Sequence, residues 1–567
     1  MTRRLFLLVS GLLVWSITLD AGSVAVRAKR GMVISASTIA SDVGYQVIKD
    51  GGNAIDAAVA TAFALAVTHP TAGNIGGGGF LVYRPNRGEP TAFDFREAAP
   101  AGSNPEMWLK NGKYDEDVHH KSHMAVGVPG TVAGLHLAWK SAGSKPWKDL
   151  VAPAIKLARD GFELSEALAR SLERTLPEFQ KYPGSLAQFS KNGQPYAAGE
   201  LFKQPDLART LERIANDGPA GFYEGETAEL IEKEMKANGG LITRQDLKNY
   251  QAKQRAPIRG TYRGYDIIGM PPPSSGGISV QLMLNILESY DLKASGAGSA
   301  QTLHLAAESM RRAFAERAQH LGDPDFVKTM PIDRLISKEY ATELRKTINP
   351  ARASKSSPSS FTWTSESPET THFSIVDADR NAVSMTYTLE QGYGVKIVVP
   401  GAGFLLNNEM GDFNAGPGLT TPTGLIGTGP NLAQSGKRML SSMSPTIIAK
   451  DGKLFMVTGS PGGRTIINTV LMTILNVIDF GMNAQEAVDA GRIHHQWLPD
   501  RITYEELAIS PDTVELLKKM GHTVQVAREG GARASQGVAE VIVYDAKSDM
   551  LEGGVDRRQA NGGIAGK

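Results

Sequence analysis

Residues 370–388 read TTHFSIVDADRNAVSMTYT, two runs of strand-favouring residues on either side of the turn-forming cluster Asp377-Ala-Asp-Arg-Asn381. The stretch therefore predicts a β-hairpin. With the hairpin centred on Asp379, Phe373 faces Met385, Ile375 faces Val383 and Thr371 faces Tyr387, which makes one apolar side. Thr370, His372 and Ser374 then face Thr388, Thr386 and Ser384, which makes a polar side. A slip of one residue scrambles both faces and a slip of two does not, so this register is favoured. It opposes Thr370 and Thr388 directly, close enough for their hydroxyls to share a hydrogen bond.

Threonine pairs also occur across ordinary sheets, and the hairpin by itself favours that plain reading. What precedes it is less plain. Residues 349–369, NPARASKSSPSSFTWTSESPE, are rich in Ser and Pro and predict an exposed, poorly ordered segment. A threonine hydroxyl is a poor nucleophile until a base stands beside it. Cutting the chain immediately before it frees its own α-amine, a base with a pKa near neutrality that cannot drift away.

The 567 residues carry a formal net charge of +1 and are 41% hydrophobic, an ordinary globular composition that gives no reason to expect a nucleic-acid partner. The absence of cysteine excludes disulfides, thiolate nucleophiles and Cys-ligated metals. Arg3 and Arg4 precede an apolar run over residues 5–19 that ends in small residues, the pattern of an export signal over residues 1–25. The protein is thus expected to be exported, periplasmic or secreted, by a route the arginine pair leaves open. The Ala/Val-rich run 54–67 predicts a buried helix capped by Asn53, and residues 302–319 and 513–520 predict amphipathic helices. Strands are expected at 32–35, 80–83, 446–449 and 454–457, with a hairpin over 538–551. Helices and strands mixed along the whole chain call for layered α+β architecture.

Nine motifs after the signal segment resemble, in order, those of the γ-glutamyltranspeptidases: GGNAIDAAVA (51–60), GGGGF (76–80), FDFREAAP (93–100), VPGTVAG (128–134), PPPSSGG (271–277), TTH (370–372), LLNNEMGDF (405–413), SSMSPT (441–446) and GSPGGRTI (459–466). The resemblance implies an N-terminal-nucleophile hydrolase fold, a four-layer αββα sandwich built jointly by two autoprocessed subunits. The precursor would cut itself at Glu369–Thr370, leaving a large subunit (26–369) and a small catalytic subunit (370–567) as a heterodimer of its own fragments within one intertwined domain.

By the same resemblance, Thr370 is nucleophile and, through its freed amine, base; Thr388 orients it; and the backbone N–H groups of Gly462 and Gly463 form the oxyanion hole. Arg96, Ser441 and Ser442 match a clamp for the α-carboxylate, and Glu390, Glu409 and Asp412 match the acidic side that holds the α-ammonium. The implied reaction is cleavage of γ-glutamyl amides, glutathione foremost, through a γ-glutamyl-Thr370 ester resolved by water or an amine acceptor, without cofactor or metal. Two departures stand out: Glu390 replaces an Asn found in some members, and residues 414–440 lack a lid tyrosine, with Thr423 in its place.

The alternatives are a glutaryl or cephalosporin acylase of the same fold and an uncleaved exported binding homologue. The first would leave three carboxylates without a cationic partner; the second would be expected to lack one of the matched residues. His119, His120 and His123 form a cluster with no supporting metal motif and read as exposed histidines. His494 and His495 read as structural.

Overall fold

The computed structural model describes residues 23–357, 370–419, 421, 427–529 and 532–567. Residues 1–22 of the signal segment, Glu369 and Thr423 lie outside that set.

The 370–388 stretch forms the predicted hairpin, strands Thr371–Val376 and Ala382–Thr388, in the predicted register, with Phe373 opposite Met385 and His372 opposite Thr386. These strands lie at the centre of a seven-stranded antiparallel sheet. Its order is Gly563–Gly566, Met32–Ser35, Thr371–Val376, Ala382–Thr388, Gly78–Arg84, Thr91–Phe95 and Lys253–Arg255. A second antiparallel sheet of seven strands runs Val26–Ala28, Met550–Val555, Glu540–Asp545, Lys453–Gly459, Thr446–Lys450, Tyr265–Gly269 and Ile258–Tyr262.

Alternation along the hairpin decides which way each side chain goes. Phe373, Ile375, Val383, Met385 and Tyr387 enter a core shared with the helices Thr38–Lys49 and Ala54–Thr68. From the opposite face of the same sheet, Met32, Ile34, Phe80 and Val82 join a second core with Ile447, Met456, Val457 and Val541 of the other sheet and with helices Gly276–Leu287, Ala300–His320 and Thr465–Ile478. The two sheets thus face one another. Each fully buried Phe, Leu or Ile in these cores is worth roughly 1.5–3 kcal/mol of transfer free energy.

Ala54–Thr68 shows how sequence fixes one joint. Asn53 caps it reciprocally with Asp56, and every one of its residues is buried. The Asp377 carboxylate in the hairpin turn accepts from Asp379 N–H (3.0 Å) and Asn381 N–H (2.9 Å), and also from Ala54 N–H (2.9 Å). One side chain therefore closes the turn and fastens it to the first turn of the helix. The neighbouring helix approaches so closely that a Cβ on Gly44 would stand 2.1 Å from Thr61 Oγ1.

The structure corrects two expectations. His119, His120 and His123 are buried: His119 stacks on Trp108, His120 faces Glu390, and His123 Nε2 meets Glu234 at 2.9 Å. The short helix that carries His119 and His120, Glu116–Lys121, packs on the turn Glu409–Asp412, a contact between distant parts of the chain that local spacing does not announce. The described part of the 349–369 segment is also anchored. Ser354 N–H donates to Glu308 (3.0 Å) and Ser356 N–H to Asp500 (2.8 Å).

Candidate active site

The polar row of the hairpin is turned toward the second sheet, where Ser384 Oγ donates to Thr458 O at 2.9 Å. His372 Nδ1 lies 2.8 Å from Thr386 Oγ1 and Nε2 lies 3.1 Å from Ser374 Oγ, which donates to Glu540 O at 3.1 Å. Burial lowers the His372 pKa to about 3, so the ring is neutral. Gly459 lets it fit, because a Cβ there would stand 2.2 Å from the ring.

One step before the strand, Thr370 reaches the sheet's open end and is only 9% exposed. It lines a narrow cavity together with Arg96, Thr388, Glu390, Glu409, Asp412 and Ser441. Ser442 and Gly463 line it as well, and its volume of about 20 Å³ has room for one water-sized body. All the site residues named from sequence except Gly462 and Glu369 are thus brought to this one place. Gly462 lines a neighbouring cavity that also reaches Thr370, and Glu369 lies outside the described residues. Thr388 continues the register opposite Thr370, and its Oγ1 accepts from Glu390 N–H at 2.9 Å.

The loop between strand Lys453–Gly459 and helix Thr465–Ile478 carries both glycines at positive φ, +129° for Gly462 and +53° for Gly463. A Cβ at Gly462 would stand 2.8 Å from Gly537 Cα, so the position requires glycine on two counts. Among the described residues neither glycine N–H donates a hydrogen bond within the protein. Two unengaged donors beside Thr370 are the geometry an oxyanion needs.

The charged residues are paired with one another. The fully buried Arg96 guanidinium bonds Glu409 and Asp412, stands 3.7 Å from the Glu97 carboxylate and donates from Nε to Met439 O at 3.3 Å. Burial opposes its charge, but Glu409, Asp412 and Glu97 outweigh that and hold it firmly protonated. Burial pushes Glu97 up to about 8, only partly offset by Arg96. Burial likewise raises Glu409 well above the usual carboxylate range. Among the described residues neither oxygen of Glu97 has a hydrogen-bond partner, nor does Glu409 Oε2. Glu390, at φ +79°, bonds Asn408 Nδ2 and lies 3.6 Å from His120 Nδ1. For His120, burial favours the neutral ring, but Glu390 outweighs it and raises the pKa above its ordinary value.

Sequence reasoning missed three residues here: Glu97, His120 and Arg317. Arg317 donates from Nε to Ser275 Oγ (2.6 Å) and from Nη2 to Ser442 Oγ (3.0 Å), so it positions Ser442 at the cavity. Its signal was available, since 303, 306, 310, 313 and 317 follow one helical stripe and four of these positions are apolar. A charge at the fifth is an anomaly. Glu97 stands beside Arg96 inside a quoted motif, whereas His120 has no local signal. Elsewhere, His304, Glu308 and His522 come close enough together to hold a metal ion, but Glu308 already bonds Arg311 (3.2 Å) and Arg312 (2.7 Å).

Two facing antiparallel sheets with this site at their end define a fold class seen in solved acylases and transpeptidases. Cephalosporin acylase from Bacillus halodurans superposes with a TM-score of 0.85 at 27% identity, covering 98% of this chain and 99% of that one. A chain of Helicobacter pylori γ-glutamyltranspeptidase superposes at 0.55 with 48% identity, covering 56% and 91%. Within the class the chain belongs to the gamma-glutamyltranspeptidase family, whose profile matches residues 40–566. The glutathione hydrolase proenzyme of Escherichia coli (strain K12) is 49% identical over 515 residues, 90% of this chain and 88% of that protein. That of Pseudomonas sp. (strain A14) is 46% identical over 526 residues, 92% and 90%. Acylase ACY 1 proenzyme of Pseudomonas sp. (strain V22) is 38% identical over 508 residues, 87% of each.

Proposed function

We propose that this chain is the precursor of a γ-glutamyl hydrolase and transferase that acts on glutathione and related γ-glutamyl amides. It cuts itself at Glu369–Thr370 into an associated pair, 26–369 and 370–567, within the four-layer αββα architecture of N-terminal-nucleophile hydrolases. The observation that carries the proposal is Thr370 at the start of a central strand, beside two glycine N–H groups that no protein acceptor uses. The relatives named glutathione hydrolase proenzyme support the substrate and the processing.

In this reading Thr370 Oγ attacks the γ-carbonyl carbon while its freed α-amine takes the hydroxyl proton. The N–H groups of Gly462 and Gly463 stabilise the oxyanion; Thr388 orients the hydroxyl. The C–N bond breaks, the leaving amine takes the proton from the α-ammonium, and the γ-glutamyl group remains as a Thr370 ester. Water or an amine then attacks that ester, and the threonine is restored. The substrate's zwitterionic end exchanges partners with the resident ion pairs: its carboxylate takes Arg96, Ser441 and Ser442, and its ammonium takes Glu409, Asp412 and Glu390.

The acylase relatives support a second reading, in which a glutaryl side chain without an ammonium is cleaved. Arg96, Asn408 and His120 do partner the three acids, so the case against an acylase cannot rest on unpartnered carboxylates. It rests on the lining: three acidic side chains, Glu390, Glu409 and Asp412, border the narrow cavity beside Thr370, acceptors suited to an ammonium. Export is proposed from the signal segment. The first strand begins at Val26, the residue after that segment's expected end.

Intact-mass spectrometry of the purified protein, with Thr370→Ala in parallel, tests the proposal. Two fragments dividing between Glu369 and Thr370 are expected in the wild type and one chain in the variant, with γ-glutamyl release only from the former. An uncut wild-type chain, or glutaryl release exceeding γ-glutamyl release, overturns it.

A further inference from the structure

Thr370 also borders a second cavity, of about 320 Å³, on its Gly462 side. The two spaces differ in charge. Three acidic residues line the narrow one, whereas no Asp or Glu lines the larger one, where two arginines stand. Arg558 is fully committed, donating to Glu505, to Asp556 (3.0 Å) and to the carbonyls of Val488 (2.9 Å) and Ala490 (3.1 Å). Arg174 is different: it projects, exposed, from helix Glu166–Phe179 and has no ion pair or hydrogen bond among the described residues. Its neighbours one turn away do not engage it, because Arg170 pairs with Glu166 (2.6 Å) and Glu178 with Lys181 (2.6 Å). Ser171, on the same helix, lines the cavity one turn earlier and accepts from Tyr393 OH at 2.8 Å, which steadies that face.

Given the proposed function, the geometry of a bound donor follows. Its glutamyl end lies among the acids and its carbonyl carbon at Thr370, so everything beyond the scissile nitrogen extends to the Gly462 side. We infer that the larger cavity is the subsite for the leaving group and for the incoming amine, and that Arg174 selects those that carry a free carboxylate. The inference rests on the γ-glutamyl reading and adds to it a preference for γ-glutamyl peptides over γ-glutamyl derivatives of uncharged amines. A guanidinium and a carboxylate form paired charge-assisted hydrogen bonds, weakened here by solvent. The expected selectivity is therefore about 5- to 10-fold in kcat/KM, declining as salt is raised.

The test compares wild type, Arg174→Gln and Arg174→Lys, all processed to the mature form, on glutathione, its C-terminal amide and γ-glutamyl-p-nitroanilide. A second arm measures transfer to glycylglycine and to glycylglycinamide. In Arg174→Gln, kcat/KM for glutathione should fall to the level of its amide, with the amide and the anilide unchanged, and Arg174→Lys should keep part of the preference. A selective loss in the donor arm or in the acceptor arm supports the inference and says which molecule's carboxylate is held. An equal loss on every substrate marks a structural role and overturns it, as does no change on any. A wild type that turns over none of the donors refutes the γ-glutamyl reading itself, a result distinct from either.

Discussion

Replacing Arg96 by Met removes the one guanidinium that balances Glu409 and Asp412 in a fully buried position. Breaking a buried ion pair from one side costs about 3–5 kcal/mol. Titration sets an upper limit of similar size, because burial already raises Glu409 with Arg96 in place. A carboxylate stripped of its counter-charge in the interior takes a proton, and holding it neutral at about pH 7.5, against an ordinary value near 4, costs ~1.36 kcal/mol per unit, or roughly 5 kcal/mol. The sign follows from the raised folded value: the variant loses stability as pH rises above about 4, so at about pH 5 the upper limit shrinks to roughly 1.4 kcal/mol. An unfolding entropy of ~2.1 cal/mol/K per residue gives roughly 1.1 kcal/mol/K for a chain of this length. Scanning calorimetry should therefore find Tm lowered by up to about 3–5 °C at the higher pH and up to about 1 °C at the lower. The comparison belongs in a Thr370→Ala background, where wild-type and substituted chains are both uncut. A deficit equal at the two pH values, or larger in acid, would refute the argument that Arg96 offsets part of the burial that raises Glu409.

Gly462→Ala should lower kcat by about 10²–10³ with a smaller effect on KM, because it disturbs one of the two proposed oxyanion donors; a kcat within about threefold of wild type, in correctly processed protein, removes Gly462 from that role. His120→Gln should lower Tm more at about pH 6 than at about pH 8.5. The reason is that Glu390 raises the folded value of His120, so its stabilisation is present below the ordinary value near 6.5 and is lost as pH rises through the folded one. The reverse order of the two deficits would show that Glu390 does not support a protonated ring.

The hairpin was legible because its two faces differ in polarity and only even slips preserve them, and the structure adopts the register read from that pattern. The helix Ala54–Thr68 was legible from its Asn53 cap and apolar length, and Met32–Ser35 was placed residue for residue. What sequence could not show was mutual pairing. Arg96 and Glu409 are separated by 313 residues, and charges read from sequence as partners for the two ends of a ligand are also bonded to each other. Burial without a ligand demands such pairing, but spacing along the chain does not reveal it. His120 was missed for a related reason, since its surroundings come from the Glu409–Asp412 turn and from Glu390, both distant in sequence.

The hairpin sheet interleaves strands from both sides of residue 369: Gly563–Gly566, then Met32–Ser35, then the hairpin, then Gly78–Arg84. A chain folded in one piece forms these pairings as an intramolecular event, at a rate independent of its concentration. Once cut before Thr370, the same pairings can be regained after unfolding only by two molecules meeting. Maturation would thus turn a reversible folder into a protein whose persistence depends on how slowly it first opens, a lifetime rather than an equilibrium.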